Sequence, residues 1–403
     1  NATANVTNAN LTIKGGTING DVYAGGMADG TNATANVTNA NLTIKGGTIN
    51  GDVYAGGMAD GTNATANVTN ANLTIKGGTI NGDVYAGGYA FNKGIATVAN
   101  ATVTFDGNSS FAKTVQGGNA TNSTLAFTNY NDTFNGHVVG FNQLNVADGS
   151  TLQLGTLSTG KAGKGDTAGV FNDNALTLAG AGNVEAEAVN VVAGNGLSVK
   201  NGTLTVTQSL KSAKAGAENG ATGINVSGNG VLRADNKLLV QETKEGISIA
   251  GDLHQLYLGQ GGTLAVTGLS SISTAAMKGY HDALVAGGTG LIKYEGAAIE
   301  ISNKTPSGNL EGGKAEDTGA LLADTTVEYA TTGNKTEIRG GYGAKTVLIS
   351  NAANVPHTVT LKGDLTLLGD GKNLITVNEG ATLSTVTVNA GNALNLGSAA
   401  APS

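Results

Sequence analysis

Few side chains in this sequence are placed to do acid–base or nucleophilic chemistry. The four histidines, His137, His254, His281 and His357, are scattered, and the only arginines, Arg233 and Arg339, lie far apart. The one compact titratable group is "KGYHD" at Lys278–Asp282. It reads first as a polar excursion of the chain; catalysis would need further groups converging on it. A glycosidase needs two carboxylates at a set separation. No nucleophile elbow, zinc-binding helix motif or phosphate loop occurs. The expectation is a non-catalytic protein.

What recurs instead is a set of identical residues at fixed intervals. The unit "NATANVTNANLTIKGGTINGDVYAGGMADGT" fills 1–31, is repeated letter for letter at 32–62, and runs a third time from Asn63 to Gly88. Within it, Ala4, Val6, Leu11, Ile13, Ile18 and Val22 alternate with Asn5, Asn10, Thr12, Lys14, Asn19, Asp21 and Tyr23. Period 2 means half-buried strands, three short ones per unit. Gly15-Gly16 and Gly25-Gly26 supply the corners. One unit has a single apolar face and cannot bury it alone. Stacked copies, each strand parallel to its equivalent in the next, bury it in a continuous core. The fold class expected is all-β: a single-stranded parallel β-helix, or β-solenoid, winding right-handed.

That stacking turns single residues into columns. Asp21, Asp52 and Asp83 would recur at about 4.8 Å, where like charges in water repel by roughly 0.9 kcal/mol per pair. Solvent can carry that; calcium bridging is the functional reading, although the calcium-binding nonapeptide of β-rolls is missing. Tyr23, Tyr54 and Tyr85 should point outward. Stacking of the rings, about 0.5–1.5 kcal/mol per pair, stabilises the ladder. The functional reading of Asp and Tyr together is an exposed contact ladder for glycans or a neighbouring solenoid. Asn5, Asn10, Asn36, Asn41, Asn67 and Asn72 each open an N-x-T sequon. They read as hydrated polar ladders or as glycosylation sites.

Later segments test the stacking. "NATVTFDG" at Asn100–Gly107 matches "NANLTIKG", and "TFNGHVVG" at Thr133–Gly140 matches "TINGDVYA". Gln116-Gly117-Gly118 is aligned with Ala24-Gly25-Gly26. The following rung arrives about seven residues sooner, so Met27–Asn32 reads as a loop on a coil of about 24 residues. The seven phenylalanines all lie between 91 and 171, which points to a core widening into aromatic stacks. Residues 1–144 form the regular solenoid and 145–403 a degenerate one. Excursions are expected near 211–220 and 271–288, each able to hold a helical turn, and near 303–319, a long exposed loop. A separate domain beginning near 211 is the alternative.

Composition bounds the partners. The chain has 64 glycines, 13% charged residues, a net charge of −7 and no cysteine. Sparse arginine and an acidic balance argue against nucleic acid. The missing cysteines fit either a disulfide-free cytosolic protein or, the favoured reading, a secreted bacterial protein crossing the periplasm. No apolar run approaches the roughly 20 residues needed to span a bilayer. Residue 1 falls inside a repeat, so the sequence reads as a window of a longer protein. The Gly/Asn/Thr-rich coils with "GGTINGDVYAGG" repeats resemble the passenger region of bacterial autotransporter-type (type V secreted) surface proteins. The resemblance implies a cell-surface adhesin or self-associating stalk. It would contact surface glycans or proteins of a host or neighbouring cell, or like chains, and be held at the outer membrane only through parts outside this sequence. A polymerising matrix or surface-layer protein is the alternative, and a β-helical carbohydrate-active enzyme ranks below it. No cofactor is expected beyond the calcium option.

Overall fold

The computed structural model describes residues 2–108, 111–162, 168–192, 194–212 and 223–235. Beyond these it describes 240–243, 246–249, 256–258, 261–267, 271–273, 291–296, 299–302, 304–305, 308–309, 326–331, 335–339, 346–351, 356–361, 374–377 and 382–388. The described residues contain strands and no helix. They fall into two units, Asn1–Asn190 with Asn195–Leu197, and Val191–Gly194 with Ser198–Ser403.

The first unit is a parallel β-solenoid. Its first coil holds β1 (Thr3–Ile13), β2 (Thr17–Ile18), β3 (Val22–Tyr23) and β4 (Met27–Asp29). The second coil repeats them as β5 (Thr34–Ile44), β6 (Thr48–Ile49), β7 (Val53–Tyr54) and β8 (Met58–Asp60). The third has β9 (Thr65–Ile75), β10 (Thr79–Ile80), β11 (Val84–Tyr85) and β12 (Tyr89–Phe91), and β13 (Ile95–Asp106) opens the next coil. From β1 to β11 each strand pairs in parallel with its own copy, identical residue on identical residue: Ile13 with Ile44, Ile44 with Ile75, Val22 with Val53. β12 and β13 keep the pairing with changed residues, Tyr89 on Met58 and Phe105 on Ile75.

The inward face follows the alternation. Val37, Leu42, Ile44, Ile49 and Val53 are buried, while Asn41 and Thr43 between them are half-exposed. Burial needs a rung on both sides. Val6 and Leu11 of the first coil are 44% and 40% exposed, whereas their copies Val37 and Leu42 are 3% and 1% exposed. The column Ile13–Ile44–Ile75 continues through Phe105, Phe127 and Val146. There the core widens as expected: Phe105, Phe127 and Phe134 pack at 5.1–5.4 Å between ring centroids. Phe91 is the exception, 47% exposed at the solenoid surface.

Three expectations need correction here. First, Met27–Asn32 is not a loop. Its first three residues, Met27–Asp29, are β4, which pairs with β8, and β8 pairs with β12. Met-Ala-Asp is a minimal alternation: Ala28 turns inward and joins Ala33, Ala35, Ala59, Ala64, Ala66 and Ala96 in a small alanine core. Packing here is tight: a Cβ on Gly26 or Gly57 would come within 2.9 and 3.2 Å of the Ala35 and Ala66 methyls. Asn32 and Asn63 then turn the chain with φ of 58° and 59°, a conformation asparagine tolerates. Second, "TANVTN" and "ANLTI" are one strand of 11 residues, not two. Third, the Gln116 alignment is off by one. Val115 lies on Val84, so Gln116 lies on Tyr85 and not on the following alanine. The shortening of the coil is as read: Val84, Val115 and Val138 stack in register, and Phe127 lies on Phe105.

The second unit also stacks parallel strands. One column runs through Thr203–Ser212, Val231–Asp235, Thr263–Thr267, Leu291–Gly296, Thr326–Thr331, Thr346–Asn351 and Leu374–Val377. Another runs through Ser271–Ser273, Ile299–Ser302, Lys335–Arg339, Pro356–Leu361 and Thr382–Val388. The start of each excursion therefore belongs to regular structure: Lys211 and Ser212 close a strand, and Ser271–Ser273 pairs within the second column. In the stretch 303–319, Lys304–Thr305 and Gly308–Asn309 form a short antiparallel ladder. The remainder of these stretches, including Lys278–Asp282, lies outside the described residues. A second hairpin, Val240–Thr243 with Gly246–Ile249, has no counterpart in the sequence reading.

A candidate binding surface of stacked polar columns

Inward Val22 and Val53 fix the side on which Asp21, Tyr23 and their copies emerge. The aspartates do more than sit in a row. Asp21 Oδ1 accepts the backbone N–H of Asp52 at 2.8 Å, and Asp52 Oδ1 that of Asp83 at 2.8 Å. Asp83 Oδ1 accepts the N–H of Thr114 at 3.0 Å. Each carboxylate thus caps the next rung through a charge-assisted bond, roughly twice as strong as a neutral one. That offsets the like-charge repulsion. Glycine before the aspartate makes room: a Cβ on Gly51 would collide with Asp21 Oδ1 and come within 2.6 Å of the Gly20 carbonyl carbon. The N-G-D triplet carried this signal, and period-2 reasoning alone did not extract it.

The second carboxylate oxygen of Asp21 accepts the Tyr23 hydroxyl at 3.3 Å, and that of Asp52 accepts the Tyr54 hydroxyl at 3.2 Å. The rings of Tyr23, Tyr54 and Tyr85 stack at 4.7 and 4.6 Å between centroids, with planes 8° apart. Tyr89 leans on Tyr54 at 5.3 Å. The exposed contact ladder is corrected here for its central member. Tyr54 is only 3% exposed, because the flanking rings cover its faces and Tyr89 its edge. Tyr23 and Tyr85 are half-buried; Asp21 is exposed, Asp52 and Asp83 half-buried.

Burial first, then the Asp21 charge, pushes the Tyr23 phenol up to about 12. Burial and the Asp52 charge push Tyr54 and Tyr85 up as well. In the unfolded chain a phenol ionises near pH 10. On raising the pH, the unfolded state therefore loses these protons first. The stability they contribute is intact below pH 10 and declines as pH rises from 10 toward 12. Thermal melts should show that decline, and the Tyr23→Phe/Tyr54→Phe/Tyr85→Phe variant should show a flatter profile across the same window.

The asparagines form continuous amide ladders. Asn36 Nδ2 donates to Asn5 Oδ1 at 2.8 Å, and Asn67 to Asn36 at 3.0 Å; Thr97 Oγ1 closes that column on Asn67 at 2.7 Å. Asn41 donates to Asn10 at 2.9 Å and Asn72 to Asn41 at 3.0 Å. Further columns link Asn8, Asn39, Asn70, Asn100 and Asn122, and Asn19, Asn50 and Asn81, at 2.8–3.1 Å. All six sequon asparagines lie in these ladders, on the outer face. Beside them Lys14, Lys45 and Lys76 are exposed, and the column ends where Lys76 Nζ meets Asp106 Oδ2 at 2.5 Å. The hydrogen bond from Lys76, joined by one from Asn129, holds the Asp106 carboxyl below the usual range.

Among the described residues, the histidines and arginines singled out in the sequence stand apart from one another. His137 packs its ring edge-on against Phe171 at 5.0 Å; His254 and His281 lie outside the described residues, and His357 is on a strand of the second unit. Arg233 instead pairs with Glu295 at 2.7 Å within the second unit. Among the described residues, no group of three or more His, Cys, Asp or Glu is placed to hold a metal ion, and no helix is long and apolar enough to cross a membrane. No family model, curated protein or solved structure matches the chain.

Proposed function

We propose that this chain is an extended, secreted bacterial surface protein that adheres or self-associates through its repeated polar columns, without catalysis. One observation supports the reading above the others. Within the repeats identical residues lie on identical residues from rung to rung, so the same amides, carboxylates and ammonium groups recur in columns along the solenoid at the strand spacing. An active site needs one constellation; a repeat of this kind multiplies weak contacts. Each amide in an Asn column spends one N–H and one lone pair on its neighbours, which leaves a second N–H and lone pair for a partner. Two like chains laid side by side, or a repeating glycan, can use every rung at once. The autotransporter-type passenger likeness of the sequence points the same way and adds secretion to the cell surface.

The test couples the purified chain to beads and follows their clumping. Replacing Asn10, Asn41 and Asn72 with Ala removes one outward column. Three ladder amides at about 1 kcal/mol or less each leave the circular dichroism spectrum β. Clumping, or retention on a glycan surface that binds the native chain, should fall several-fold. Unchanged clumping and glycan retention would remove this face from the account.

A further inference from the structure

The tyrosine column carries a chemistry beyond surface contact. We propose that Tyr23, Tyr54 and Tyr85 form a site of oxidative modification, at which a one-electron oxidant of the peroxidase class joins adjacent rungs through a dityrosine bond. Three features come together there. The rings are parallel within 8° and 4.6–4.7 Å apart between centroids, so each phenol lies face to face with the next. The hydroxyls of Tyr23 and Tyr54 each donate to a carboxylate of their own rung, which gives the phenolic proton somewhere to go as the electron leaves. Tyr23 and Tyr85 are half-buried and accessible to an oxidant, whereas Tyr54 between them is shielded from solvent quenching. The elevated phenol pKa of Tyr23 keeps the phenolate route closed at neutral pH, so loss of the electron depends on the carboxylate as base.

The step balances as follows. Two neighbouring phenols each lose one electron to the oxidant and one proton, through Asp21 or Asp52, to water. The two phenoxyl radicals couple through their ortho carbons, forming one C–C bond. The two ring protons displaced there return to the phenolic oxygens, restoring both aromatic rings. The electrons and protons removed reduce one hydrogen peroxide to two waters at the peroxidase. The product is a covalent staple between rungs that are separated by a whole repeat in sequence. A chain with no cysteine has no disulfide route to such a link. The proposal is independent of what the outer face binds.

The experiment mixes unlabelled and ¹⁵N-labelled full chain, treats the dilute mixture with a haem peroxidase and hydrogen peroxide, and digests it with trypsin. Cleavage after Lys14, Lys45 and Lys76 places Tyr23 and Tyr54 on separate peptides of identical sequence. The expected result is dityrosine fluorescence and cross-linked peptide pairs whose two halves carry the same isotope, marking links within one chain. Tyr54→Phe keeps the stacked ring but removes the central phenol, and should bring these pairs to background. Asp52→Asn keeps the oxygen that caps the next rung but removes the base, and should slow their appearance. Isotopically mixed pairs at the statistical share, or consumption of tyrosine with no same-chain pair, would overturn the proposal. So would undiminished same-chain pairs in the Tyr54→Phe variant.

Discussion

Ile44→Asp should destabilise the first unit by more than about 4 kcal/mol, while Lys45→Asp, one residue on, should cost under about 1 kcal/mol. Ile44 is 1% exposed and stacked between Ile13 and Ile75. The substitution forfeits about 1.5–3 kcal/mol of aliphatic burial. It also places a carboxylate where its partners are the hydrocarbon walls of adjacent rungs, a penalty of several kcal/mol more. Neutralising the carboxylate by uptake of a proton relieves part of this, so the deficit should shrink in acid. Lys45 is exposed and flanked in its column by Lys14 and Lys76. An aspartate there replaces like-charge neighbours by opposite ones, worth little at a solvated site. Thermal and denaturant melts of the two variants decide it. Equal tolerance would mean that the two faces have been assigned the wrong way round.

The pair of substitutions also marks how much the sequence told. Alternation assigned the faces of Ile44, Leu42 and Val53, because period 2 is a local property of one strand. Exact copying assigned the register, because each residue has an obvious mate one repeat away. Three places were missed for different reasons. At Met27–Asp29 the strand is too short to show alternation, and alanine is too small to announce a core. At Gln116 the coil changes length, and matching by glycine pairs slipped one residue against the hydrogen-bonded register. For Tyr54 the alternation was right about direction and silent about burial. An outward ring is covered when identical rings lie above and below it, which is a property of the stack and not of the strand. The capping of each rung by the aspartate of the preceding one was hidden for the same reason. In the second unit copies no longer announce their mates, and the sequence yields strands without pairings.

The larger effect is expected on function when whole rungs are added or removed. Residues 32–62 are identical to 1–31, and 32–57 are also identical to 63–88, so the Asn, Asp21-type and Tyr columns meet the same residue type above and below; in the last strand of the coil Met58 and Asp60 lie on Tyr89 and Phe91. Deleting 32–62 therefore joins β1 to β9 in the register that β1 now has with β5, with each Asn, Asp and Tyr column intact and one rung shorter. Since a rung contacts only its neighbours, stability changes by one rung's share and folding persists. Attachment through summed weak contacts behaves differently. Each rung contributes to one shared binding event, and avidity can exceed a single site by roughly 10²–10⁴-fold.

The direct measurement is bead clumping against rung number, with chains carrying one, two, three and six tandem copies of the unit ahead of the same remaining sequence. All four should give β-type circular dichroism and melts. Clumping strength, read as the shear needed to disperse the beads, should climb faster than in proportion to copy number. A flat response across the four folded chains would contradict the account and place any adhesive activity outside the repeats.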